Sequence, residues 1–440
     1  METPTNHLDD GARPGEILPA SQRPGAPELS SAMQVLAWLA ENPALGGLET
    51  DLGRGVARAY KRVRKQRRID AAHAARQTKP SIDSSALRTC YICRSTFQRV
   101  DAMYPMLCPE CADANRAHRN RRADLSGRRA LVTGGRIKLG YQTVLKLLRD
   151  GAEVIATSRF PCEAAGRYAK EPDFSQWRHR LKLRRIDFRD LRGVQQFADE
   201  LAASLDGLDI LVNNAAQTIR PSDAFHRSLL ARENNPPAEL REEIQSLLMI
   251  TAPDAGTAID LPGWQPPGEL VTKPEMPVAS SWTLSMEQVD PAELAEVMVI
   301  NAMAPFILCA RLEPLMRRSR FADRYIVNVT SIEGQFERDY KAADHPHTNM
   351  AKAALNMLTR TAAKRCAESG IYMNSVDPGW ITHMIAVDPS DANDGAPGRA
   401  SPVPLDAIDG AARIYDPILR GINGSPVSGL LLKDFAEVAW

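Results

Sequence analysis

Four of the seven cysteines stand in two close pairs, Cys90-Tyr-Ile-Cys93 and Cys108-Pro-Glu-Cys111, with 14 residues between the pairs. Each C-x-x-C makes a tight knuckle that points two thiolates inward. Two knuckles close a tetrahedral site of the structural zinc type, with no open position for catalysis. Mononuclear iron is the lesser metal alternative; the non-metal alternatives are two disulfides, which a cytosolic chain disfavours, or reduced core cysteines. Cys162, Cys309 and Cys366 fall singly in apolar or helical surroundings and read as packing residues.

The second stretch with chemical spacing is Arg129-Ala-Leu-Val-Thr-Gly-Gly-Arg-Ile-Lys-Leu-Gly140. Ala130, Leu131 and Val132 suit a central parallel strand. Tyr141 to Arg149 has helical spacing through Val144, Leu145 and Leu148, with Gly151 as its stop. Between them, glycines let backbone N–H groups approach a pyrophosphate, and the helix N-terminus supplies partial positive charge. An ordinary tight turn is the alternative.

Elements able to position these groups follow in order. Glu153 to Thr157 reads as a strand ending in Ser158-Arg159, Arg184 to Phe188 as another with Asp187 at its end, and Leu208 to Val212 as a third running into Asn213-Asn-Ala-Ala216. Strand and helix in alternation imply a doubly wound parallel sheet, an α/β fold whose ligand lies across the carboxyl ends of the strands. Before it, residues 1–30 are polar and proline-dotted and read as a disordered tail. Residues 31–80 read as a helical, basic region, with Arg58, Lys61, Arg62, Arg64, Lys65, Arg67 and Arg68 on the polar faces of one helix. Such a helix suits nucleic acid or an acidic protein surface, or is only a solvated face. The zinc module takes 86–122 and the large domain 124–440, with an insertion at 217–280 in which Asn235 to Leu248 reads as a helix. This insertion reads as a lid at the substrate mouth or a partner surface.

Composition bounds these readings without selecting among them. At 440 residues, 44% hydrophobic and 25% charged, the chain holds a large core, and its formal net charge of +1 predicts no partner by itself. Read for consecutive apolar residues, no run approaches a membrane span, and no signal-peptide plan opens the chain, so a cytoplasmic protein with no membrane contact is expected.

Taken together, Thr133-Gly-Gly-Arg-Ile-Lys-Leu-Gly140, Asn213-Asn-Ala-Ala216, Asn301, Tyr325-Ile-Val-Asn-Val-Thr-Ser331, the helix containing Lys352, and Asp377-Pro-Gly379 resemble the ordered landmarks of the short-chain dehydrogenase/reductase family. The resemblance spans about Asp124 to Trp440, and implies a Rossmann domain. The cysteine pairs resemble a treble-clef or ribbon-like zinc module. The family resemblance implies that Gly134 and Gly140 shape the phosphate turn, that Asp187 bonds the adenine amine, and that Asn213 and Ala215 line the adenosine ribose. It further implies that Pro378 and Gly379 lie beside the nicotinamide amide, with Thr382 bonding that amide. The family's middle glycine in T-G-x-x-x-G-x-G is replaced by Lys138. Lys138, Arg136 and the Ser158-Arg159 pair supply charge for a 2′-phosphate where a carboxylate would repel it, which favours NADP(H) over NAD(H).

The catalytic group departs from the family. The resemblance implies Ser331 as the residue holding the substrate oxygen, Lys352 as the ribose-binding lysine and Asn301 as the water-holding asparagine. The family's Tyr, one helical turn before the Lys, is here Thr348. An aliphatic hydroxyl is a far weaker acid than a phenol. Substitute acids in the sequence are Tyr340, His345, His347 and Glu333. The expected activity is hydride transfer between NADP(H) and a carbonyl or alcohol substrate with a non-standard proton donor. The alternative is a catalytically impaired NADP(H)-binding sensor or scaffold acting through its zinc module and basic helix on a protein or nucleic-acid partner. Relatives of this family form oligomers, so a homo-oligomer is expected.

Overall fold

The computed structural model describes residues 82–217, 229–230, 233–234, 241–249, 281–337, 341–381 and 403–440. The chain divides into two units, Met1–Pro80 and Ser81–Trp440. The first unit, with the expected tail and basic helices, lies outside the described residues, as do Tyr340, Thr382 and most of the insertion.

Strands β1 (Ile82–Thr89) and β2 (Thr96–Val100) form an antiparallel hairpin, and helix α1 (Pro109–Arg119) follows. Cys90 and Cys93 lie in the hairpin loop, while Cys108 stands at the N-cap of α1 and Cys111 in its first turn. Their small apolar core gathers Cys90, Phe97, Tyr104, Leu107 and Ala112, and also Leu405 from far along the chain.

The large sheet then builds from β3 (Arg129–Val132), α2 (Lys138–Arg149), β4 (Glu153–Ser158), α3 (Pro161–Tyr168), the single turn α4 (Phe174–Trp177), β5 (Leu181–Arg185), α5 (Leu191–Ser204) and β6 (Ile210–Asn213). After the insertion helix α6 (Arg241–Leu247) come α7 (Pro291–Met298), α8 (Ala304–Arg317), β7 (Arg324–Val329), α9 (Pro346–Ala367), β8 (Ile371–Asp377), α10 (Ala407–Ile422), β9 (Leu431–Lys433) and β10 (Ala436–Val438). The strand order is β10-β9-β8-β7-β6-β3-β4-β5, parallel throughout except for the antiparallel β9–β10 hairpin. This is the doubly wound α/β sheet expected, and chain direction reverses between β3 and β6, the switch point.

Strand alternation separates the two faces. Ala130 and Val132 of β3 pack on the side of α2, α3 and α10, while Leu131 between them packs on the side of α5, α8 and α9. The expected strand Arg184 to Phe188 lies three residues earlier, because pairing with β4 runs from Leu181 opposite Val154 to Arg185 opposite Ser158, while Ile186 and Phe188 are buried beyond the strand. Asp187 therefore stands in the turn beyond β5. The sequence reads as a final strand at Gly429 to Leu432, which is β9, but its hairpin partner β10 was not read: the two-residue turn is Asp434-Phe435, both left-handed (φ 47° and 64°), without the glycine or asparagine that usually marks it. Arg413 bonds the Asp434 carboxylate at 2.7 Å, and His118 of α1 stacks on the Phe435 ring at 3.8 Å.

Two sequence expectations need correction. The helical run Pro291–Arg317 is long and apolar enough to cross a membrane by length and composition, although 61% of its apolar window is buried inside the fold. Counting consecutive apolar residues missed it because Glu296 and Asn301 interrupt the run. Residues 241–249 of the insertion are also not at the substrate mouth. Met249 N–H bonds the Leu183 carbonyl, Leu248 bridges Leu183 in parallel, and Ile244 and Leu247 enter the core beside α3. That is the β5 edge, four strand spacings or about 19 Å from β7. The expected helix shortens to Arg241–Leu247 within the described residues. Replacing Leu247, fully buried, with alanine should destabilise the whole domain by about 2–5 kcal/mol. Denaturant unfolding that moves by less than about 0.5 kcal/mol would mean this segment is only loosely attached.

Candidate functional site

The polar residues converge at the carboxyl ends of β3, β4, β6, β7 and β8. At the end of β3 the buried Thr133 hydroxyl accepts the N–H groups of Asn214 and Ala215, both at 2.9 Å, so the turns leaving β3 and β6 are tied together. Asn214 itself, which sequence reading passed over, donates to the Thr133 and Gly134 carbonyls. Gly134 is left-handed (φ 71°), and a Cβ on Gly140 would lie 2.2 Å from the Gly134 carbonyl oxygen. The turn therefore requires both glycines. Asn213 turns its side chain down into the sheet, where it bonds Asn328 at 2.8 Å and Cys309 at 3.3 Å. It serves as a cross-strand tie and does not line a ribose, because its position on β6 faces α8.

Helix α2 begins at Lys138 with no side-chain cap and no acidic residue in its first turn, whereas Asp190, Asp290 and Asp406 cap α5, α7 and α10. Lys138, in the family's glycine position, keeps the left-handed backbone (φ 52°) that suits glycine, with its side chain exposed. Arg136 and Arg159 both approach the Phe160 ring, at 5.6 and 5.7 Å. Arg136 pairs with Glu163 at 3.1 Å. Arg159 forms no ion pair within 4 Å among the described residues. Burial lowers its pKa, opposed by the charge of Asp187 and reinforced by Arg189 and Arg136. Ser158 accepts the Phe160 N–H and holds this turn in shape. Burial alone would raise the Asp187 carboxyl, but Arg189 grips it at 2.6 Å and leaves it below its ordinary range. Glu233 of the insertion, also unforeseen, accepts the Cys162 and Glu163 N–H groups and pairs with Arg185 at 2.6 Å.

At the other end of the site, Ser331 follows β7, and its hydroxyl accepts the Glu333 N–H at 3.2 Å. Lys352 of α9 is buried and donates to the Val329 carbonyl at 2.8 Å; burial pushes its pKa down to about 8. Thr348 lies one helical turn earlier on the same face. Its hydroxyl and that of Thr330 are buried, with no hydrogen-bond partner among the described residues. Asn301 sits in a π-type turn, Val299–Met303, where its amide bonds the Gln217 backbone at both ends, 2.8 and 3.0 Å. Both histidines offered as substitute acids are buried, and neither ring nitrogen of His347 has a hydrogen-bond partner among the described residues. His345 is a left-handed N-cap stacked on Trp282 at 3.9 Å, and His347 is buried 3.7 Å from Glu293, with burial lowering its pKa and Glu293 partly restoring it. Glu333 lies 3.8 Å from Lys341. Gly379, left-handed at φ 85°, donates to Asp377, which pairs with Lys433 at 2.8 Å.

The four module cysteines bring their sulfurs within 4.8 Å of one another, and Cys93 and Cys108 are 3.6 Å apart. Zinc–sulfur bonds of about 2.3 Å in a tetrahedron put sulfurs about 3.8 Å apart, so the donor set fits zinc. All seven cysteines are free of disulfides. The Ser95 hydroxyl, 2.9 Å from Cys93, holds that thiol down to about 6, which favours the thiolate a metal needs.

Lys138→Gly should relieve about 1–2 kcal/mol of left-handed strain and lose about 0.5–1 kcal/mol to glycine's greater unfolded freedom. Thermal unfolding should therefore show a small net stabilisation, and a clear loss would mean that the Lys138 side chain makes a contact worth more than the strain.

Comparison with known proteins gives matches over both halves of this sheet. A family model described as short chain dehydrogenase matches residues 128–235, and one described as Enoyl-(Acyl carrier protein) reductase matches 278–407. The Uncharacterized protein R665 of Acanthamoeba polyphaga mimivirus is 30% identical over 352 residues, covering 77% of this chain and 73% of that protein. That share exceeds what 124–440 can hold, so the similarity runs into the cysteine module. Short chain dehydrogenase/reductase dpfgH of Gibberella zeae is 33% identical over 144 residues, 31% of this chain and 41% of that protein. Retinol dehydrogenase 13 of Homo sapiens is 33% identical over 96 residues, 21% of this chain and 28% of that protein. Among solved structures, NADPH-bound carbonyl reductase from chicken fatty liver is 20% identical, with 72% of this chain and all of that one covered and a TM-score of 0.46.

Proposed function

Because the chain belongs to the short-chain dehydrogenase/reductase family, we propose that it is an NADP(H)-dependent oxidoreductase acting on a carbonyl or alcohol, with Lys352 and Thr348 replacing the family's phenol. The observation that carries this is the buried Lys352 ammonium, held at the Val329 carbonyl, one helical turn along α9 from a buried Thr348 hydroxyl that has no hydrogen-bond partner among the described residues. When bound, the dinucleotide supplies or takes up the hydride at C4 of its nicotinamide. The uncapped start of α2 receives the pyrophosphate, Arg159 and Arg136 meet the 2′-phosphate, and Lys138 adds charge at the same turn.

Ser331 donates to the substrate oxygen. Lys352, with a pKa near 8, holds a proton at neutral pH and passes it through the Thr348 hydroxyl to that oxygen, so Thr348 need not be an acid itself. A structural zinc in the cysteine module accompanies this reading, as do reduced thiols and a cytoplasmic location. Met303, Phe306, Met350 and Met357 are exposed on α8, its entry turn and α9, and support a homo-oligomer through that face.

Two measurements test the proposal. Arg159→Ala should raise the Kd for NADPH at least tenfold and leave NADH within threefold; equal effects on both would remove the 2′-phosphate role. Thr348→Val keeps the shape and removes the hydroxyl, so kcat over a carbonyl panel should fall about 100-fold with cofactor affinity unchanged. Carbonyl reduction needs protonated Lys352, so kcat/KM should decline as pH rises through about 8, and alcohol oxidation should rise over the same interval. Full turnover in the valine variant, or a flat profile across pH 7–9, would show that the proton travels elsewhere.

A further inference from the structure

The cysteine module lies against the nicotinamide end of the cleft. Tyr91 stands inside the first knuckle, between Cys90 and Cys93, and its backbone N–H bonds the Met106 carbonyl at 2.9 Å. Its side chain leaves the module, and its hydroxyl accepts the Trp380 N–H at 2.9 Å. The approach is close: a Cβ on Gly379 would lie 3.6 Å from that hydroxyl and 2.7 Å from Leu405. Ile381, just past the turn, and Leu405, just before α10, both pack into the module's apolar core.

The residues on either side of the second knuckle grip the start of α10. Asp409, fully buried in the first turn of α10, accepts hydrogen bonds from Tyr104 at 2.8 Å, Asn115 at 3.0 Å and Arg119 at 2.7 Å. Arg119 also makes a two-pronged contact with Asp406, the N-cap of α10, at 2.7 and 3.0 Å. One hairpin and one helix have too little core to hold two such contacts by themselves, and in small modules of this kind metal binding supplies the folding energy.

We propose that the metal-held module is a positioning element of the dinucleotide site: metal at Cys90, Cys93, Cys108 and Cys111 fixes Tyr91, and Tyr91 fixes the turn Pro378-Gly379-Trp380 against which the nicotinamide half binds. This rests on the dinucleotide reading above. Tyr91 acts through the backbone of the turn and does not touch the reacting atoms. Metal occupancy therefore governs affinity for the nicotinamide half and leaves the adenosine half, held beyond β3 at β4, unaffected.

The test uses the full chain loaded with zinc, the same chain stripped by a chelator and reloaded, and Tyr91→Phe, which keeps the ring and removes one hydrogen bond. Three quantities are read: Kd for NADPH, Kd for adenosine 2′,5′-bisphosphate as the adenosine-half probe, and hydrogen exchange at the Trp380 amide. The expected result is a weakening of NADPH by about fivefold in Tyr91→Phe, a larger and reversible weakening on zinc removal, unchanged bisphosphate binding, and faster Trp380 exchange in both cases. Equal losses of NADPH and bisphosphate affinity would mark general unfolding and overturn the proposal. So would an unchanged Trp380 amide, or a chain that takes up no metal. A wild-type chain that binds neither nucleotide removes the dinucleotide reading, and Trp380 exchange then still decides whether the module holds the turn.

Discussion

The Thr133 hydroxyl is the contact on which the site's geometry depends. It joins the loop leaving β3 toward one face of the sheet to the loop leaving β6 toward the other, at the point where the winding reverses. Two backbone donors converge on one buried oxygen, so the cleft between the loops has a fixed width before any ligand arrives. Gly134 and Gly140 are needed because the backbones that this bond draws together leave no room for a Cβ. Each charged group around the site is placed relative to that closed pair of turns.

Much of the fold was legible because its signals are local. The apolar runs of β3, β4 and β6, the glycine turn and the two cysteine pairs each declare themselves within a dozen residues, and the parallel sheet follows from their alternation. The β5 register was not legible, since Arg184 and Arg185 sit in a strand whose core residues, Leu181 and Leu183, precede them. The β9–β10 hairpin was also hidden, because Asp434 and Phe435 hold left-handed conformations through contacts with Arg413 and His118 that no local pattern encodes. Asn213 shows the same limit on the site: the residue type marks the segment, but its facing decides whether the side chain meets a ligand or another strand.

The departures from the family share a physical character. Relative to the pattern that the family resemblance implies, Lys138 stands with a left-handed backbone where a glycine is expected, and Thr348 places a small hydroxyl deep in the fold where a phenol is expected. Neither change disturbs the surrounding framework, for Lys352 still reaches the Val329 carbonyl and α2 still starts uncapped. The framework is set by backbone contacts, which tolerate exchange of the chemical groups it carries.

The seat of the cysteine module has a further consequence for how the chain is assembled. Tyr104 and Asp409 are separated by 305 positions, and His118 meets Phe435 only at the far end of the sequence. A chain emerging from the ribosome exposes the module long before α10 and the last hairpin exist. Closing so long a loop is among the slowest steps in folding. The docking of the module is completed only at the end of synthesis, and a nascent chain stalled before residue 406 lacks the two carboxylates, Asp406 and Asp409, that Tyr104, Asn115 and Arg119 grip.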